Sequence, residues 1–219
     1  MSLVLFVLGR PGCGKSTAMA YIRELAQAQE LRTIRLKDYE KLYRRFQAEV
    51  TAKEEGPKRF RGAAYGGFDI LDFTVMDEVL AELQQELQNA LSIPENKLII
   101  VEFARDEYCK PLRQFRQDLL QNAYFLFVDT NLEACIQRIH QRVKNPVRAD
   151  NHFVSDTILR DYYSKDTLFD IKDKLAREPG IESRRITILN NNDSQTQFLE
   201  EVEQFFYRLF PALLPISTH

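Results

Sequence analysis

Nine residues near the N-terminus, Gly9-Arg-Pro-Gly-Cys-Gly-Lys-Ser-Thr17, fit the spacing G-x-x-x-x-G-K-[ST]. Glycines at 9, 12 and 14 let the backbone turn tightly and aim its N–H groups inward, and a helix opening near Lys15 adds the positive end of its dipole. That combination cradles a polyphosphate. Lys15 would reach the β- and γ-phosphates and the Ser16 hydroxyl would ligate Mg²⁺. Gly9, Gly12, Cys13, Gly14, Lys15, Ser16 and Thr17 are therefore the expected binders of a nucleoside triphosphate. The competing explanation, a chance glycine-rich turn, fails on the agreement of spacing, lysine, serine and flanks: the apolar run Leu3–Leu8 precedes the motif and a helix-prone run to Glu30 follows it.

Other reactive side chains stand where apolar runs end. Asp38 follows the run Thr33–Leu36, where a carboxylate can orient a hydroxyl and accept its proton during phosphoryl transfer; Asp is equally a favoured helix cap, and the residues leave both readings open. Glu102 closes the run Leu98–Val101 and would support Mg²⁺ or bind a substrate. Arg105, three residues on, can hold an anionic group with its fork, or pair with Glu102 on a loop. Arg138 and Arg142 are spaced i, i+4 on one helix face, with Arg148 a few residues beyond. Three arginines at a helix end can clamp a transferring phosphoryl group when a lid closes; a solvated basic face is the alternative. The segment Gly56–Gly67 is glycine-rich and basic, and its Arg59 and Arg61 would meet an acceptor's anionic group, or simply ride on a surface loop. Asn190-Asn-Asn-Asp193 is a polar turn whose Asn191 can touch a base, or which merely caps the last helix. His140 and His152 have no partner pattern and read as surface or packing residues.

These residues need a frame. Five short apolar runs, Leu3–Leu8, Thr33–Leu36, Leu98–Val101, Tyr124–Val128 and Arg185–Leu189, read as strands buried on both faces of a parallel sheet. Helical patterns separate them: Ser16–Glu30, Tyr39–Lys53, Asp72–Leu91, Glu107–Asn122, Leu132–Val143 and Ser155–Tyr163, with Phe198–Phe210 last. Alternation of this kind predicts an α/β doubly wound sheet with helices on both faces, and ligands then sit beyond the carboxyl ends of the strands. The 219 residues suit one domain (1–219), with an acceptor-covering segment at about 54–70 and a lid at about 138–160. A net charge of −2 argues against a nucleic-acid partner held by bulk electrostatics. Three widely spaced cysteines, 13, 109 and 135, suggest neither a zinc site nor a disulfide framework and fit a reduced, cytoplasmic setting. No run approaches the roughly 18 apolar residues of a membrane helix.

The phosphate loop, the strand ending in Glu102 with Arg105 behind it, and FLFVDTNLEACIQRIHQR together resemble the P-loop small-molecule kinases of the nucleoside-monophosphate-kinase group. Asp38 with VEFAR is more similar to the zeta-toxin-like and gluconate-kinase-like branches, in which an Asp after the second strand prepares an acceptor hydroxyl. The resemblance implies a P-loop NTPase fold with strand order 2-3-1-4-5, Glu102 and Arg105 in the acceptor site, Arg138 and Arg142 at a lid over ATP, and Asn190–Asn192 near the base. It covers most of residues 1–145 and the end of the chain. Adenylate kinases carry Asp-Gly-x-Pro-Arg where this chain has Glu102-Phe-Ala-Arg105, which counts against a nucleoside monophosphate as acceptor. The expected function is ATP- and Mg²⁺-dependent phosphoryl transfer to a small-molecule acceptor. The alternative is a nucleotide-binding switch or slow regulatory ATPase with no such acceptor; no N-K-x-D for guanine is present.

Overall fold

A computed structural model describes residues 2–52, 56–144, 152–165 and 168–210. At its centre is a five-stranded parallel sheet built from β1 (Ser2–Leu8), β2 (Arg32–Lys37), β5 (Lys97–Phe103), β6 (Tyr124–Asp129) and β7 (Ile186–Asn190), ordered β2-β5-β1-β6-β7. A short antiparallel ribbon, β3 (Phe60–Gly62) paired with β4 (Phe68–Ile70), falls between the second and third strands of that sheet. The sequence reading has a glycine-rich loop there, so the expected order 2-3-1-4-5 has to be renumbered with the ribbon counted. Three residues per strand carry no readable period, which is why the ribbon is silent in the sequence.

The central strands read as unbroken apolar runs because both of their faces are covered. Side chains alternate across a strand. Leu3, Leu5 and Val7 of β1 pack under α1 (Lys15–Ala28) and α9 (Gln195–Leu209). Val4, Phe6 and Leu8 face the other way, onto α3 (Thr74–Ser92), α4 (Cys109–Leu112), α5 (Gln117–Asn122) and α8 (Ile171–Arg177). On α3, Leu80, Leu83, Leu87 and Ala90 recur at intervals of three and four and form one buried stripe. Phe6 stacks on Phe125 at 5.0 Å and meets Phe115 edge-on at 5.0 Å, joining three segments.

The helix expected over Glu107–Asn122 is broken instead. α4 stops at Leu112, and Arg116, with φ −59° and ψ 136°, turns the chain before α5. α8 lies in a stretch for which no helix was expected. α7 (Asp156–Asp161) starts after Ser155, whose hydroxyl accepts from the Ile158 N–H at 3.3 Å, the cap its sequence suggests.

Two smaller clusters sit over the carboxyl ends of the strands. In one, α2 (Asp38–Ala52), the ribbon and the start of α3 share Leu42, Phe60, Phe68, Ile70, Val75, Met76 and Val79. In the other, α6 (Leu132–Lys144) packs with residues 153–163 through Ile139, Val143, Phe153, Leu159 and Tyr163. No helix among the described residues is long and apolar enough to cross a membrane.

Candidate active site

The loop after β1 is shaped by what lies against it. Gly9 has φ 143°, and a Cβ there would stand 2.5 Å from the Val128 carbonyl oxygen. Gly14 has φ 113°, immediately before α1, and a Cβ there would stand 2.2 Å from Asn191 Nδ2. Neither position admits an L side chain. The ends of β6 and β7 pin the loop from behind: the Cys13 carbonyl accepts from Thr130 Oγ1 at 2.9 Å and from Asn191 Nδ2 at 2.8 Å, while the Asn191 N–H bonds the Asp129 carbonyl at 2.8 Å. The loop is thereby held open toward the cleft, with the first N–H groups of α1 unused by the helix itself.

Lys15 is buried, and its Nζ donates to the carbonyls of Gly9 and Arg10 at 2.8 and 2.9 Å. It lines a cleft of about 780 Å³ together with Gly12, Gly14, Ser16 and Thr17. The Cys13 side chain belongs to the core instead, where burial pushes its thiol up. Any role it has in the cradle is through its main chain.

α6 brings two arginines to the same cleft. Arg138 donates to the Asn191 carbonyl at 2.8 Å and to the Cys13 carbonyl at 3.4 Å. Arg142, one turn on, donates twice to the His152 carbonyl, at 2.7 and 3.2 Å. Both line the cleft, so this is not a solvated basic face. Arg148 lies outside the described residues. Asn191 also lines the cleft, but its amide is committed to Cys13, so it shapes the loop before it can meet a base.

At the far end stands Asp38. It is the first residue of α2, it is buried, and it faces the cleft. Arg105 NH1 donates to Asp38 Oδ2 at 2.7 Å and to the Ala104 carbonyl at 2.6 Å, and Arg105 NH2 donates to the Met76 carbonyl at 3.0 Å. Arg105 is 3% exposed and does not line the cleft. The expectation that it grips an acceptor is corrected: it sits behind Asp38 and holds that carboxylate in place. Arg59 and Arg61 are corrected likewise. Arg59 pairs with Glu78 at 2.7 Å and Asp72 at 3.2 Å, and Arg61 with Asp69 at 2.8 Å; neither lines the cleft. Basic residues on an exposed ribbon find the carboxylates of their own neighbourhood first.

Glu102 lines the cleft, and its Oε2 accepts from Arg35 at 2.6 Å. Arg35 escaped sequence reading, although strand alternation carries the signal: Lys37 is in register with Glu102, and Arg35 lies two residues earlier on the same face. Asp69, 3% exposed and facing the cleft, carried no signal at all, since the ribbon that presents it was not anticipated. His152 is not a bystander: its ring stacks on Tyr39 at 3.7 Å and lines the cleft. His140 pairs with Asp156 at 2.8 Å, away from the cleft.

The donor set suits a polyphosphate with Mg²⁺. Three loop glycines at positive φ, Lys15 and the α1 N-terminus supply the anion cradle. Among the described residues no cluster of three or more His, Cys, Asp or Glu could cage a metal. Mg²⁺ needs no such cage, because it keeps waters and takes one or two protein oxygens beside phosphate oxygens; the Ser16 hydroxyl in the cleft meets that need.

No protein-family model matches the chain, and no curated protein matches it. Solved structures do. A gluconokinase from Sinorhizobium meliloti superposes with TM-score 0.53 at 13% identity, covering 99% of this chain and 98% of the other. A sugar kinase from Janibacter superposes with TM-score 0.52 at 16% identity, covering 99% and 100%. A Thermus thermophilus protein gives TM-score 0.52 at 17% identity, covering 95% and 98%. Nearly end to end, then, this chain has the fold of solved small-molecule kinases, on sequences that share little with it.

Proposed function

We propose that this protein transfers the γ-phosphoryl group of ATP to a hydroxyl of a small molecule. One observation carries the reading: the phosphate cradle around Lys15 and the carboxylate of Asp38 line the same cleft. The loop N–H groups and Lys15 bind the β- and γ-phosphates. Asp38 orients the acceptor hydroxyl and takes its proton as the O–P bond forms. Arg105 is a positioning residue that holds the Asp38 carboxylate through their 2.7 Å pair. Arg138 and Arg142 donate to the oxygens that gain charge in the transition state. The Ser16 hydroxyl would hold Mg²⁺ beside the phosphates, where the ion would supply further charge neutralisation, and Glu102, lining the same cleft, would support its waters. In this reading residues 56–70 cover the acceptor and the described parts of 138–160 belong to the lid; Arg148, expected in the same clamp, lies outside the described residues. The aligned kinase fold and the cytoplasm expected from the cysteines are consistent with this chemistry.

The test is ADP release with ATP·Mg²⁺, with and without pools of hydroxyl-bearing metabolites. Acceptor-dependent turnover well above the basal rate is the expected result. Tight nucleotide binding with no acceptor raising the rate would leave a nucleotide switch in its place.

A further inference from the structure

The acceptor end of the cleft differs in character from the phosphate end. Tyr39, Phe68, Ile70, Met76, Val154 and Tyr163 line it, drawn from α2, the ribbon, α3 and residues 152–163. Tyr39 is stacked between Phe68, at 5.9 Å, and His152, at 3.7 Å. Two carboxylates are set into this aromatic wall, Asp38 and Asp69, both buried. Asp38 is paired with Arg105 and Asp69 with Arg61, neither arginine lining the cleft, and Asp69 Oδ1 also accepts from the Ser155 N–H at 3.4 Å. Burial holds the Tyr163 phenol far above its ordinary range, so it faces the cleft uncharged.

The cations that line the cleft, among the described residues, are gathered toward the phosphate loop or paired with carboxylates. Lys15, Arg138 and Arg142 donate to main-chain carbonyls around the loop and His152. Arg35 is paired with Glu102 at 2.6 Å, and Lys37 with Glu40 at 3.4 Å. An anionic acceptor seated beside Asp38 and Asp69 would meet two carboxylates whose paired arginines do not line the cleft, so the pairing offsets part of the repulsion and leaves the nearer charge negative. Flat apolar walls with a few inward acceptors favour the opposite kind of molecule.

Resting on the kinase reading, we infer that the acceptor is a hydroxyl compound with a flat, apolar body and no anionic group, neutral or cationic at neutral pH, whose hydroxyl or amine donors are received by Asp38 and Asp69. Asp69 is then a specificity residue, and phosphate- or carboxylate-bearing acceptors are excluded.

The test is a thermal-shift screen of the full chain with Mg²⁺ and a non-hydrolysable ATP analogue. The probes are hydroxyl compounds matched in body and differing in charge: adenosine against AMP, and 2-phenylethanol and 2-amino-1-phenylethanol against mandelate, extended to a small set binned the same way. Stabilisation confined to the neutral and cationic bins is expected. Asp69→Asn should weaken those hits roughly tenfold, the worth of one charge-assisted hydrogen bond. Hits concentrated in the anionic bin, no hit in the other two bins, or hits indifferent to Asp69→Asn would each overturn the inference. The shift caused by the nucleotide analogue alone is read in the same plates. Its absence sinks the kinase reading itself, whereas its presence with anionic hits sinks only the acceptor class.

Discussion

The two ends of the cleft are made in opposite ways. The phosphate end is a backbone device: one strand, nine consecutive residues and one helix, braced by the ends of β6 and β7 through Thr130 and Asn191. The acceptor end is a side-chain device assembled from α2, the β3–β4 ribbon, the start of α3 and residues 152–163, which meet through Tyr39, Asp69 and Gly67. A Cβ at Gly67 would lie 2.4 Å from the Phe153 carbonyl oxygen, so the turn of the ribbon and the 152–163 segment approach main chain to main chain. A backbone device of this kind suits the features all triphosphates share, as the proposed reaction requires. A side-chain device can be re-lined without disturbing the first, and so carries the choice of acceptor.

The contrast can be broken by substitution. Asp38→Asn should lower acceptor phosphorylation roughly 10²–10⁴-fold, the span of general-base contributions, with nucleotide affinity retained; it also leaves Arg105 buried without its counter-charge, so a lowered melting temperature should accompany it. An unchanged transfer rate would make Asp38 a purely structural partner of Arg105. Lys15→Ala should reduce ADP release roughly 10²–10³-fold while far-UV circular dichroism stays native, and wild-type turnover would remove the cradle assignment. Arg142→Ala should lower kcat about tenfold, more than it raises KM; an effect on KM alone would deny it a transition-state role.

Gly14→Ala and Gly66→Ala probe the loop and the ribbon separately. Both glycines have positive φ, but a Cβ at Gly14 collides with Asn191 whereas at Gly66 it meets nothing within 4 Å. Gly66→Ala should therefore cost only its backbone term, about 1 kcal/mol. Gly14→Ala should cost more, dropping the melting temperature by roughly 5 °C or beyond and weakening nucleotide binding. Equal melting temperatures would mean that the loop is not braced as described.

The smallest effect is in alkali. Burial pushes the Cys135 thiol from 9.0 up to about 12. The folded state thus favours the protonated thiol more than the unfolded chain does. This stabilisation is full below pH 9 and disappears as the pH climbs to about 12. Urea midpoints should decline across that window, and Cys135→Ala should decline less steeply.

How much of this could be read from the chain alone follows from the same contrast. Placement encoded by neighbours in sequence is legible: the loop from Gly9 to Thr17, the apolar runs of the central strands, the arginines at 138 and 142 on one helix face, and Asp38 at a strand end. Each depends on a period or a fixed offset, which a one-dimensional string preserves. Arg105, Arg59 and Arg61 were misjudged because a charged residue's partner is chosen in space: Arg105 found Asp38, 67 positions away, and Arg59 found Glu78. Asp69 and the aromatic wall had no local signature. The linear chain was enough to place a glycine-rich loop with Lys15 and Ser16 between the first strand and first helix of an α/β sheet, because dihedral preferences and side-chain periodicity act within a few residues. Which charged residues line the cleft and which are paired behind it emerged with the folded chain, because the pairing of buried ions depends on distances that folding alone sets.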